Sequence, residues 1–124
     1  MKIHKVNIGI NINDSNASWT EYILSGRKTI ETRNKPTLDC YIGKRVGIIR
    51  TGLGKAMLVG FVDIVGKKEY NSLGEFRKDE HLHLVQVGSE FDFKEKKIGY
   101  LLENPERLSN PVPVESRGIV SRKI

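Results

Sequence analysis

RVGIIRTGLGKAMLVGFVDIV, Arg45 to Val65, is the stretch whose reading decides the fold. Two apolar runs rich in β-branched residues, Arg45–Arg50 and Ala56–Val65, flank five residues, Thr51–Lys55, that include two glycines. β-Branched side chains pack well on a pleated surface, and a short glycine-bearing loop reverses the chain. The segment predicts a β-hairpin. A lone hairpin is marginal in water, so other strands must cover it.

Such strands are readable on both sides. Upstream, Lys2–Ile10 has strand character, with Ile3, Val6, Ile8 and Ile10 as its apolar positions. Asn11–Ala17 (NINDSNA) is polar and reads as a loop. Ser18 and Glu21 have capping-box spacing and open a short helix, whose Trp19, Tyr22 and Ile23 share one face and whose exit is Gly26. Thr29–Arg33 resumes strand character until Asn34, Lys35 and Pro36 break it. Downstream, Ser72 and Glu75 repeat the capping-box spacing and start a second short helix toward Lys78. His81–Phe93 carries no clear pattern. Lys97–Leu102 (KIGYLL) reads as a strand, Pro111–Pro113 as an extended edge or linker, and Gly118–Ile124 as a last strand.

The sum is an α+β, mainly β chain with five to seven strands and two short helices. At 124 residues, with 38% apolar side chains and no repeat or composition break, residues 1–124 form one domain. A small, partly closed barrel hides the sheet edges of such a chain. The single Cys40 makes no internal disulfide, no apolar run approaches the roughly 20 residues of a membrane span, and Met1–Ile10 lacks a signal-peptide core. A cytoplasmic protein with no membrane association is expected.

The net charge of +6 is unevenly placed: residues 1–50 carry nine basic side chains against four acidic ones, the rest twelve against eleven. A basic half favours a polyanionic partner through long-range attraction. It is equally compatible with an ordinary basic protein.

Within that half, GRKTIETR, Gly26–Arg33, concentrates Arg27, Lys28, Glu31 and Arg33 directly after the aromatic helix. Alternation in a strand puts Thr29, Glu31 and Arg33 on one face and Ile30 and Thr32 on the other. Two readings stand. Glu31 and Arg33 neutralise each other on a solvated face, or they line a cleft with Lys28, whose position at the turn leaves its direction open.

A Trp on a short helix, then Ile23, Gly26, Lys28-Thr29-Ile30-Glu31 and Arg33, then Gly43-Lys44-Arg45-Val46 and Ile48, resembles the ASCH family of the PUA-like superfamily. Gly60-Phe61-Val62, Tyr100-Leu101-Leu102, Asn104-Pro105 and Pro111-Val112-Pro113-Val114 extend the resemblance from Trp19 to Gly118. It implies a PUA-type β-barrel with a cleft between barrel and helices lined by the lysine–glutamate–arginine motif. It also implies RNA binding, with ribonucleases and acylated-cytidine amidohydrolases among similar proteins. The motif lysine is catalytic in such enzymes, which carries over to Lys28. A tyrosine six positions earlier, implicated in the ribonuclease type, corresponds to Tyr22. The amidohydrolase type has threonine where this chain has Glu31, and that departure counts against acyl-cytidine chemistry.

Chemistry constrains Lys28 independently. As a base or nucleophile it needs a pKa well below the usual ~10.4. Burial and Arg27 or Arg33 push it down while Glu31 pulls it up, so a charged lysine gripping a phosphate is the simpler role. The leading expectation is an ASCH-type domain binding RNA or a nucleotide-like ligand through Trp19, Arg27, Lys28, Thr29, Glu31, Arg33, Arg50, Lys55, Tyr100 and Arg117. Trp19, Tyr22 and Tyr100 offer stacking surfaces or simply core, and Arg50 and Lys55 sit at the hairpin tip. The alternative is a metal-independent hydrolase using Lys28, Tyr22 and Glu31; a weaker one is a protein-interaction module. No metal or cofactor is expected: His81 and His83 lack companion ligands, Cys40 has no base partner, and no Walker or dinucleotide loop is present.

Overall fold

The computed structural model describes residues 6–124, so Lys2, Ile3, His4 and Lys5 of the expected first strand lie outside the described residues. Six strands form one sheet in the order β2-β5-β4-β3-β1-β6. Its members are β1 (Ile8–Asn13), β2 (Ile30–Arg33), β3 (Lys44–Thr51), β4 (Met57–Tyr70), β5 (Lys97–Pro113) and β6 (Ser121–Lys123). Three short helices accompany them: α1 (Trp19–Leu24), α2 (Leu73–Lys78) and α3 (Glu80–His83).

The hairpin of β3 and β4 is the spine. Val46, Ile48 and Ile49 from one strand and Leu58, Val59, Val62 and Ile64 from the other are all buried. Burying each such side chain contributes about 1.5–3 kcal/mol relative to leaving it in water. Gly52 and Gly54 in the loop have φ of 85° and 87°, a region open to glycine without strain.

Two expectations about these elements need correction. β1 runs on through Asn11–Asn13, expected to be a loop, because β3 offers a parallel ladder pairing Asn11 with Ile49 and Asn13 with Thr51. The Ser18 capping box does not form; Ser18 makes no side-chain cap bond. Asp14 takes that role, accepting from the Thr20 N–H (3.1 Å) and hydroxyl (2.5 Å), while Glu21 turns outward to Arg107. Of the two readings of Pro111–Pro113, the extended edge holds: the segment is the end of β5. β2 pairs only with Ile98–Leu101, so beyond Leu101 β5 has β4 on one side alone. Prolines are tolerated there because no second neighbour needs their missing N–H.

The helix count is three rather than two. α3 lies in the unpatterned stretch and ends at Leu84, which adopts φ 61°. At α2 the expected cap is present: Ser72 Oγ accepts from the Glu75 N–H at 3.2 Å.

The sheet curls into a half-barrel around a core that includes Ile10, Ile12, Ile23, Leu38, Ile48, Ile64 and Tyr100. Curling brings the first and fifth strands of the order within reach of each other. Arg33 on β2 donates to the Asn11 carbonyl of β1 at 2.9 Å, closing by a side chain the seam that no ladder closes.

Candidate functional site

A cavity of about 420 Å³ opens at that seam. β1, α1, β2, the start of β5 and the segment entering β6 all contribute to its wall. Such a volume suits a ligand of nucleotide size. Lys28, Glu31, Arg33, Lys97 and Arg122 supply its charge, and Trp19 and Phe91, edge to face at 6.3 Å, supply an aromatic surface.

Lys28 is 2% exposed and points inward. α1 ends at Gly26, whose φ of 83° redirects the chain, and the Lys28 N–H then bonds the Tyr22 carbonyl at 2.9 Å. Lys28 Nζ donates to the His83 carbonyl, lies 4.8 Å over the Trp19 ring and sits 3.9 Å from Glu31 Oε1. Burial pushes its pKa down to about 8; Glu31 opposes the shift, and Arg33 and Lys97 reinforce it. The ammonium form still prevails at neutral pH.

Glu31 Oε2 is held by Arg33, at 3.1 Å from Nε and 3.0 Å from Nη2. Of the two readings of GRKTIETR, the geometry is the cleft one: Glu31 is 9% exposed and faces the cavity. His83 is a positioning residue for Lys28. Its Nδ1 accepts from the Val85 N–H (2.9 Å), so Nε2 carries the proton and donates to the Phe76 carbonyl (2.7 Å). Stacked on Phe76 at 4.0 Å, with its pKa lowered chiefly by burial, the ring stays neutral and both its nitrogens are committed. Among the described residues no group of His, Cys, Asp and Glu could hold a metal ion.

The other expected residues disperse. Tyr22 lines a smaller neighbouring cavity of about 270 Å³, which shares Trp19 and Phe91 with the first. Trp19 touches both partners, edge to face with Tyr22 at 5.9 Å and beneath Lys28 Nζ, so Tyr22 and Lys28 do not meet in one cavity. Arg27 is exposed, its guanidinium 4.8 Å from the centre of the Tyr22 ring. Thr29 serves through its backbone, bonding Leu82 and Leu102. Tyr100, fully buried, donates to Asp39 at 2.7 Å and belongs to the core. Arg50 does not line the cavity, Lys55 pairs with Glu115 at 2.8 Å, and Arg117 is exposed beside the Gly118–Ile119 rim.

Three contributors were not among the expected site residues. Phe91 lies in the unpatterned stretch, Arg122 falls within the expected last strand, Gly118–Ile124, and Lys97 opens a strand whose alternation gives no sign of a buried lysine. Asn11 fixes the rim: its amide donates to the Gly118 and Ile119 carbonyls and its Oδ1 accepts from Arg122 Nε at 3.1 Å.

Fold and site together define a small α+β, PUA-like half-barrel carrying one basic cleft at its seam. Solved structures of an ASCH protein from Zymomonas mobilis have this fold. The unmodified protein superposes with a TM-score of 0.59 at 21% identity, covering 82% of this chain and 73% of that one. Its serine-to-alanine mutant gives 0.62 at 20% identity over 87% and 72%, and its tyrosine-to-phenylalanine mutant 0.63 at 19% over 87% and 76%. The fold of this chain is therefore ASCH-like. No protein-family model and no curated protein matches the chain. No helix among the described residues is long and apolar enough to cross a membrane.

Proposed function

We propose that the cleft binds a nucleotide or a nucleotide unit of RNA. One observation carries this reading: four cationic side chains against a single carboxylate share a nucleotide-sized cavity with an aromatic wall of Trp19 and Phe91. Cations at close range recognise phosphate, and a base can stack on an aromatic face with ~1–3 kcal/mol of benefit. The ASCH-like fold agrees with the reading without identifying the ligand.

The protein's only tryptophan is Trp19, so its fluorescence reports occupancy directly. Titration with ribonucleotides and short single-stranded RNA at low salt is expected to quench or shift that emission. Lys28→Met should weaken binding by about tenfold or more, the usual scale for losing a charge-assisted contact. Absence of binding by wild type at low salt would defeat the reading and favour a protein-interaction role.

A second reading, hydrolysis, draws on the depressed pKa of Lys28. With a pKa of about 8, roughly a tenth of the lysine is neutral at pH 7, enough to serve as a base or nucleophile. Tyr22 is then not its proton partner, because it faces the other cavity. Incubation with RNA and with acylated nucleosides, read by mass, separates the two: an enzyme loses turnover in Lys28→Ala while keeping much of its binding.

A further inference from the structure

Lys97 is only 4% exposed, lines the cleft, and has no hydrogen-bond or ion-pair partner among the described residues. Its Nζ lies 6.0 Å from the centre of the Phe76 ring. A lysine buried along its length whose ammonium finds no protein partner is uncommon, and proteins rarely retain one unless something charged completes it. Glu31 and Asp92 attract it from a distance, but neither makes a hydrogen bond or ion pair with it. Glu31 is engaged by Arg33 at 3.0 Å and reaches Lys28 at 3.9 Å. Arg122 is turned to Asn11 and the Ser116 carbonyl. The cavity thus holds more positive charge than its one carboxylate neutralises, and the surplus is least satisfied at Lys97.

We infer that Lys97 is the phosphate-recognition residue of this cleft and that its ligand carries a phosphomonoester, as a free nucleoside monophosphate or a phosphorylated RNA end. The inference rests on the nucleotide-binding reading above. A phosphomonoester carries about −1.5 to −2 charges at neutral pH and three terminal oxygens, whereas an internal phosphodiester carries one charge. The first matches a cleft with several cations in excess; the second leaves Lys97 partly unmatched. Lys28 and Arg33 lie beside Glu31, and Trp19 and Phe91 are placed to take the base.

The test uses the full chain at low salt and reads Trp19 emission and calorimetry. Adenosine, cytidine, guanosine and uridine are titrated against their 5′-monophosphates, with inorganic phosphate alongside. A 5′-hydroxyl tetraribonucleotide is compared with its 5′-phosphorylated form. At least one monophosphate should bind about tenfold or more tightly than its nucleoside. Lys97→Met should reduce that ratio to about twofold or less, and Lys97→Arg should preserve most of it. A phosphate preference in the tetranucleotide assigns the RNA end; one confined to free nucleotides assigns the mononucleotide. Nucleotide binding with an undiminished monophosphate preference in Lys97→Met overturns the inference and leaves the nucleotide reading standing. Absence of all binding overturns both. Should Lys97→Met fail to fold, the wild-type ratio decides, and equal affinity for nucleoside and monophosphate overturns the inference.

Discussion

At the scale of single residues, Lys28 sets a cost that the fold carries. Its pKa drops from 10.5 in the unfolded chain to about 8 in the folded one, because burial disfavours the ammonium. The unfolded state therefore holds more protons between those two values, and stability rises with pH across that window. Below about pH 8 the penalty is fully present; it disappears as pH climbs toward 10.5. The shift corresponds to about 3 kcal/mol at most, less where water enters the cleft. Urea melts of wild type and Lys28→Met between pH 7 and 10.5 check this. Wild type should gain relative to the variant as pH rises, and parallel curves would contradict the assigned burial. Lys97 adds a shift of the same direction, again led by burial, which cancels in the comparison.

At the scale of elements, the site depends on how α1 starts and how α2 and α3 are pinned. Asp14, not Ser18, ties the first turn of α1, and that turn carries Trp19. Asp14→Ala should cost about 1–2 kcal/mol in a thermal or urea melt, with Asp14→Asn recovering part of it, since asparagine also caps well. Ser18→Ala should stay within about 0.5 kcal/mol, the range of an uninvolved surface change. Reversed magnitudes would restore the capping box that the sequence spacing suggested. In α2, Ser72→Ala should cost about 1 kcal/mol and speed amide exchange in α2 and α3, because Phe76 holds His83, whose carbonyl holds Lys28. Legibility divides along the same line. The β3–β4 hairpin, the α2 cap and the placement of Lys28, Glu31 and Arg33 along one cavity were readable, since they depend on local spacing or on a motif. What escaped depends on distant partners. Asn11–Asn13 become strand only because β3 pairs with them, and β4 runs past its apolar stretch to Tyr70 only because β5 continues the ladder. Tyr100 is equivocal in sequence and becomes core through Asp39, 61 residues away. Lys97 has no local signal because its surroundings come from distant parts of the chain, Glu31 on β2 and Phe76 on α2 among them.

At the scale of the molecule, Arg33 matters twice, as cleft cation and as the side chain across the seam from β2 to β1. Arg33→Met leaves the largely buried Glu31 without its close partner, and about 2–4 kcal/mol of stability should go with it. Arg33→Lys should recover only part, because an ammonium cannot reproduce the forked contacts to Glu31 and Asn11. Charge elsewhere is managed differently. Arg45 pairs with Asp63 and Glu106, Lys67 with Asp39, Lys68 with Asp79, and Arg77 with Asp92. Among the described residues, the other exposed cations without an ion pair, Arg27, Lys35, Lys44, Lys78, Lys94, Arg117 and Lys123, are spread over several strands, helices and loops. At the seam, by contrast, Lys28, Arg33, Lys97 and Arg122 share one cavity, and the proposed function makes that cavity the principal electrostatic contact. For single-stranded RNA each neutralised phosphate contributes about −0.7 to the slope of log affinity against log salt, so contacts by the cleft cations alone predict about −2 to −3. Titrating oligonucleotides of four, eight and sixteen units, numbers that only set the ladder on the order of one to several site lengths, checks it. The slope should stay constant with length, and steady steepening would mean that RNA tracks the outer surface and that the cleft is not the principal electrostatic contact.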